Sequence, residues 1–335
     1  MRRRLPAVPA VLAGAVSAVI VLATVAGCGS GAYAPTEVVK AGAASPATAN
    51  PGTATPTPAA TGAAVTGANC LKSYAPRGAL PAPDALPTGS TMERIRKRGY
   101  LRAGVSADTL LLGARNPVTG TIEGFDIDVL HAISRALFGD PDKIELRVIT
   151  AADRETVLKD GSVDVVARAM TINCDRWTRI AFSSEYYRAG QKILVPLGSR
   201  ATTLADLRGK RVCAPLKSTS LDRLRQYGGV VPVPSDSHTG CLVQFQHCKV
   251  DAITGDDTVL AGLAAQDPYA RVVGRAFSAE PYGVGINRDN VDLVRFVNGV
   301  LQQMRTDGRL AKSYDRWLRP ALGPPTLPTP VYGRS

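Results

Sequence analysis

The chain has 335 residues, 40 Lys and Arg against 28 Asp and Glu, a formal net charge of +12, and six cysteines. The basic residues are dispersed, with no basic run after Arg4 beyond Arg94 to Arg98, which argues against nucleic acid and for a basic face towards an anionic wall or lipid. No cysteine pair has CxxC spacing and only His131, His238 and His247 are present, so neither a metal site nor a cofactor is expected.

Met1 to Arg4 is a positive n-region, and Val8 to Ala26 is a nearly unbroken apolar stretch without charge. It ends in Val25-Ala26-Gly27-Cys28, followed by Gly29-Ser30, which resembles the lipobox of bacterial lipoproteins. An uncleaved membrane helix of roughly 20 residues is the alternative. The Cys at the end of the apolar run, with small neighbours, favours cleavage and lipid on Cys28, and two acyl chains give stable anchoring. Setting Cys28 aside leaves Cys70, Cys174, Cys213, Cys241 and Cys248, an odd number in an oxidising compartment.

Residues 29 to about 69 are rich in Ala, Thr, Pro and Gly and hold little that could form a core. The globular part starts near Ser90, where Ser90-Thr91-Met92-Glu93 predicts a capping box and Gly99 a helix stop. Tyr100 to Val105 reads as a strand. Gly124-Phe125-Asp126 opens a helix carrying Leu130, Ile133 and Leu137 and stopping at Gly139. Ile144 to Ile149 alternates as a strand, a short helix runs through Val157-Leu158, and Val163 to Ala167 reads as a buried strand. The pattern restarts with the strand Arg211 to Ala214, a helix after Ser218-Thr219, the strand Val250 to Thr254 and the helix Asp257 to Ala265. Gly283 to Ile286 is a strand, Asn290 to Asp307 an amphipathic helix, and a last helix carries Tyr314, Trp317 and Leu318. Alternating β and α elements over about 230 residues predict α/β architecture in two compact lobes.

Four segments resemble the bacterial extracellular solute-binding proteins of family 3. They are Gly124-Phe125-Asp126-Ile127-Asp128, Met170-Thr171-Ile172-Asn173-Cys174-Asp175-Arg176, Leu204 to Val212, and Val250 to Asp257. The resemblance spans roughly Met92 to Leu318, and the subgroup it is most similar to is that of actinobacterial glutamate or glutamine uptake lipoproteins. It implies a type II periplasmic-binding-protein-like fold, two α/β lobes joined by two hinge strands that close on a ligand. The expected organisation is a signal peptide over 1–28, a disordered tether over 29–88, lobe 1 over 89–186 and lobe 2 over 187–279. The return to lobe 1 covers 280–319 and a mobile tail 320–335. A disulfide on Cys70 is expected to pin the end of the tether to lobe 1.

The ligand implied is a free amino acid, and burying that zwitterion requires a cation for one end and an anion for the other. Arg176, five residues after Thr171, matches the family's grip on the α-carboxylate, with Thr171 adding a hydroxyl and the backbone of Ala169 a carbonyl for the α-ammonium. Ser218 and Thr219 open a lobe 2 helix, either completing the carboxylate site or only capping the helix. Asp256 matches the ammonium-binding acid, or else joins Asp257 in capping the next helix. Arg154 matches the arginine that grips a side-chain carboxylate in glutamate/aspartate binders; otherwise it is a surface charge. Arg168, interrupting an apolar strand, is a second candidate. Asp108 either contacts ligand or caps a turn, and Leu111 stands where an aromatic usually covers the ligand. Tyr282 either walls the site or packs the hinge. The pairings Cys213–Cys241 and Cys70–Cys174 are expected, with Cys248 the free thiol.

The function implied is extracytoplasmic capture of glutamate or aspartate, with asparagine or glutamine as alternatives, at the outer face of the cell membrane. The partners implied are an ABC permease and its ATPase, or a membrane sensor protein using the same closed surface. An enzyme is not expected, because no nucleophile–base constellation is present and none of the histidines lies in the matched segments.

Overall fold

The computed structural model describes residues 68–335. The signal and lipid site assigned to residues 1–28 lie outside the described residues, as does most of the tether.

Two sheets organise the chain. In the first, the strand order is Ile144–Val148, Leu101–Val105, Val165–Val166, Gly285–Asn287, Ile180–Phe182. The first three are parallel, whereas Gly285–Asn287 runs antiparallel to both its neighbours. A late strand thus sits between two early ones, so the chain must come back to this lobe. In the second sheet the order is Val231–Ser235, Arg211–Pro215, Ala252–Asp256, Tyr187–Pro196, Ala270–Val273. Again three strands are parallel and the fourth is antiparallel to both neighbours. The lobes are joined by Tyr187–Pro196 going out and Ala279–Tyr282 coming back, paired antiparallel with Tyr282 opposite Tyr187.

Local chemistry explains the elements. Ser90 Oγ accepts from the Glu93 N–H (3.1 Å), and the Glu93 carboxylate accepts from the Gly89 N–H (2.8 Å), starting the helix Thr91–Arg98. The helix Phe125–Phe138 starts at Gly124, whose φ is 145° and where a Cβ would lie 2.4 Å from the Leu112 carbonyl. Only glycine satisfies both conditions. In lobe 2, successive residues of the same strands feed opposite layers. Ile193, Val212 and Ala252 join one apolar cluster, and Leu194, Cys213 and Ile253 the other. A sheet buried on both faces needs such continuous apolar runs.

The disulfides Cys213–Cys241 and Cys70–Cys174 are present, with Cα separations of 5.6 and 4.9 Å. Cys248, expected as a free thiol, is disulfide-bonded. The odd count behind that expectation came from setting Cys28 aside, a step that falls outside the described residues. Both ends of the described chain are also more ordered than their composition suggests. Ser73–Tyr74 pairs in parallel with Tyr332–Arg334, so neither the last part of the tether nor the tail is loose. Asn298 holds this clasp, its Nδ2 donating to Tyr74 O (2.7 Å) and its Oδ1 accepting from the Ser184 N–H (2.6 Å). Leu80, Leu86, Leu322 and Leu327 pack against the lobe 1 core, which is why these Pro-rich segments stay down. Among the described residues no helix is long and apolar enough to cross a membrane.

Candidate ligand cleft

The strand Val165–Val166 delivers the chain to a turn at Ala169, whose φ is 43°. Asp126 holds that turn. Its Oδ2 accepts from the Ala169 N–H (2.8 Å) and its Oδ1 from the Tyr186 hydroxyl (2.6 Å). Burial pushes this carboxyl up to about 6. The acid of the Gly-Phe-Asp segment therefore acts as a strut.

Three arginines converge beside the turn. Arg154 is 5% exposed and donates to Ala151 O (2.8 Å), Ala169 O (3.1 Å) and, across the lobes, Lys217 O (3.4 Å). Arg176, also buried, donates to Thr171 O (2.7 Å) and to the same Lys217 carbonyl (3.4 Å), with its Nε 3.7 Å from Glu155. Arg168 is buried and donates to Ile149 O (2.8 Å). Arg154 is thus no surface charge. Burial, and then the positive charges of Arg176 and Arg168, hold its pKa well below the ordinary arginine value. Among the described residues, no carboxylate lies in ion-pair distance of Arg154 or Arg168.

Lobe 2 and the hinge supply the opposite charge. Asp256 occupies the N-cap position of the helix Asp257–Ala264 but makes no side-chain cap bond. Its Oδ2 accepts from the Tyr282 hydroxyl (2.6 Å), while its Oδ1 is buried without a partner. Burial, with Glu280 close by, pushes Asp256 up to about 8. Asp257, by contrast, accepts from the Gly190 and Thr258 N–H groups and is structural. Tyr282 is fully buried, edge-on to Tyr187, and belongs to the hinge packing.

Ser218 caps the helix Thr219–Tyr227, accepting from the Leu221 N–H (3.1 Å) and donating to Pro215 O (2.6 Å). The hydroxyls of Thr171 and Thr219 both donate to Glu280 (2.8 and 2.9 Å). The one proton of the Thr171 hydroxyl is therefore engaged by Glu280, which leaves its oxygen only acceptor capacity towards the cleft. Asp108 is exposed. It accepts from the Ser106 hydroxyl (2.7 Å), and its carbonyl accepts from Thr239 of lobe 2 (3.1 Å). Leu111, at φ 77°, packs against the lobe 1 core, and its carbonyl accepts from the Phe125 N–H.

The structure brings Arg154, Arg168, Ala169, Thr171 and Arg176 of lobe 1 together with Thr219 and Asp256 of lobe 2. It adds two residues the sequence did not single out. Glu280 is one. The other is His238, whose Nε2 is buried without a partner and whose pKa falls to about 3 through burial and the nearby Arg168. Its position at the start of a lobe 2 helix, after Ser237, was the only available signal. A cavity of about 440 Å³ opens along the arginine face, lined by Arg154, Glu155, Asn173, Arg176, Lys217 and Thr219 among others. Asp256 and Thr171 lie outside its lining.

A two-lobed α/β clamp with charged residues of both lobes facing one cleft is the architecture of a solute-binding protein. Residues 101–320 match the bacterial extracellular solute-binding proteins, family 3, and the chain belongs to that family. It is 31% identical over 231 residues to the ABC transporter glutamine-binding protein of Bacillus subtilis (strain 168), covering 68% of this chain and 85% of that one. It is also 31% identical over 240 residues to the glutamate-binding protein of Corynebacterium efficiens, covering 68% and 80%. Among solved structures, an ancestral arginine-binding protein bound to glutamine matches with TM-score 0.62 and 33% identity, over 66% of this chain and 98% of that one.

Proposed function

We propose that this protein captures an acidic amino acid, glutamate or aspartate, outside the cell and delivers it to an ABC permease and its ATPase. The segment ending at Cys28 would hold it to the extracytoplasmic face of the membrane. In this reading Arg176 and the N–H groups opening the helix Thr219–Tyr227 take the α-carboxylate. Asp256 Oδ1 and the Ala169 carbonyl take the α-ammonium. Arg154 and Arg168, with His238 beside them, take the side-chain carboxylate.

The observation that carries the reading is a mismatch of partners. Arg154 and Arg168 are buried without a carboxylate in ion-pair distance, while a buried Asp256 oxygen has no donor. Uncompensated buried charges are costly, and a zwitterion with a second carboxylate supplies every missing partner. Glutamine and asparagine bind more weakly in this reading, because their amide oxygen accepts from Arg154 without bringing charge. The relatives named for glutamine and glutamate fit that range of ligands.

The test is calorimetric titration of the purified protein with L-glutamate, L-aspartate, L-glutamine and L-asparagine, repeated on Arg154→Ala. Tightest binding of glutamate or aspartate, lost selectively in Arg154→Ala, is the expected result. Tightest binding of glutamine or a cationic amino acid, unchanged by Arg154→Ala, would remove the acidic assignment.

A further inference from the structure

Glu280 lies in the returning hinge strand and is 1% exposed. Its Oε2 accepts from Thr171 of lobe 1 (2.8 Å) and Thr219 of lobe 2 (2.9 Å). Its Oε1 accepts from Arg223 of lobe 2 (3.0 Å) and from Ser278 in its own segment (2.6 Å). Arg223 is braced in turn, its Nε donating to Gln191 (2.8 Å) on the outgoing hinge strand. One carboxylate thus gathers donors from both lobes at the pivot.

Each threonine hydroxyl has one proton and two lone pairs. With the proton committed to Glu280, only acceptor capacity is left on the other side of the oxygen. Neither threonine side chain can then donate to a ligand carboxylate, and both offer lone pairs suited to an ammonium.

We propose that Glu280 is a positioning residue that latches the two lobes and orients the hydroxyls of Thr171 and Thr219 as acceptors towards the ligand's ammonium. This rests on the amino-acid reading of the cleft. Glu280 itself touches no ligand; it acts through Thr171, Thr219 and Arg223. Closure engages Thr219 and Arg223 against it, so its removal speeds ligand escape more than it slows ligand entry.

The test is stopped-flow measurement of L-glutamate association and dissociation in wild type, Glu280→Gln and Arg223→Gln. Dissociation at least tenfold faster in both variants is expected, with association changed less than threefold. A merely structural role would lower the unfolding temperature and leave dissociation unchanged. Unchanged dissociation in Glu280→Gln, or in Arg223→Gln should Glu280→Gln not fold, overturns the proposal. Small-angle scattering of the ligand-free proteins separates this from the ligand reading. If wild type binds no L-glutamate, a larger radius of gyration in Glu280→Gln still supports the latch, and equal radii overturn it.

Discussion

The Tyr282 hydroxyl donates to Asp256 Oδ2 at 2.6 Å, tying the returning hinge strand to the lobe 2 acid whose other oxygen has no partner. The bond aims Asp256 and leaves Oδ1 as its free acceptor. Tyr282→Phe removes the donor and leaves a second buried oxygen unsatisfied. Losing a hydrogen bond to a charged group costs about 1.5–3 kcal/mol, so amino-acid affinity should fall roughly 10- to 100-fold by calorimetry. An affinity within twofold of wild type would show that Asp256 is held by other means.

Titration of the same acid predicts opposite pH trends for stability and binding. Asp256 is raised to about 8 in the fold, against about 3.9 unfolded. Between those values the folded ligand-free protein holds more protons, so its stability falls as pH rises. Asp126, raised to about 6, has the same sign up to that pH. His238, lowered to about 3, has the opposite sign up to about 6.5, the unfolded value. Asp257, also raised by burial, has the same sign as Asp256, and above about 6.5 the opposing His238 contribution is spent. From pH 6.5 to 8.5, therefore, the ligand-free melting temperature should drop while affinity for glutamate rises. Titrations in buffers of different ionisation enthalpy should show proton release on binding near neutral pH.

Gly262 reports on closure. It lies in the lobe 2 helix Asp257–Ala264, and a Cβ there would sit 2.7 Å from the Leu110 carbonyl of lobe 1. Gly262→Ala should favour the helix itself by about 0.5–1 kcal/mol and clash only when the lobes meet. The expected outcome is an equal or higher melting temperature without ligand and at least tenfold weaker binding. A lower melting temperature with unchanged affinity would contradict it.

The Cys70–Cys174 bridge closes a loop with a sequence separation of 104 residues, and Cys174 opens the short helix that carries Arg176. Replacing both cysteines by serine should cost about 2–5 kcal/mol in denaturant unfolding. Binding should weaken as well, because Trp177, whose Nε1 donates to Cys70 O (2.7 Å), loses its brace beside Arg176. Unfolding and binding both unchanged would mean that the clasp of the two chain ends suffices without the bridge.

Much of this architecture can be read from residue spacing. Ser90 and Glu93 mark a helix start and Gly124 a helix entry, while it is the resemblance to family 3 that implies Arg154 and Arg176 in the site. What escaped depends on partners distant in sequence. Nothing in Ala279-Glu280-Pro281-Tyr282 marks Glu280 as buried, because its donors come from segments up to 109 residues away. His238 reads as an ordinary residue at a helix start until Gly255 and Arg168 are packed around it. The pairing of Ser73–Tyr74 with Tyr332–Arg334 has no periodicity to detect, since elements of two or three residues show none. Pro-rich composition there suggested mobility, and long-range pairing overrode it.

The clasp also sets which half of the clamp moves. Its two strands, near the start and the end of the described chain, both rest on lobe 1, and lobe 2 holds neither. Lobe 2 is an insertion carried on the hinge strands alone. A protein held by the segment leading into Ser73 has lobe 1 as its stationary jaw. Opening the cleft then moves lobe 2 against lobe 1 and parts the Lys217 carbonyl from Arg154 and Arg176.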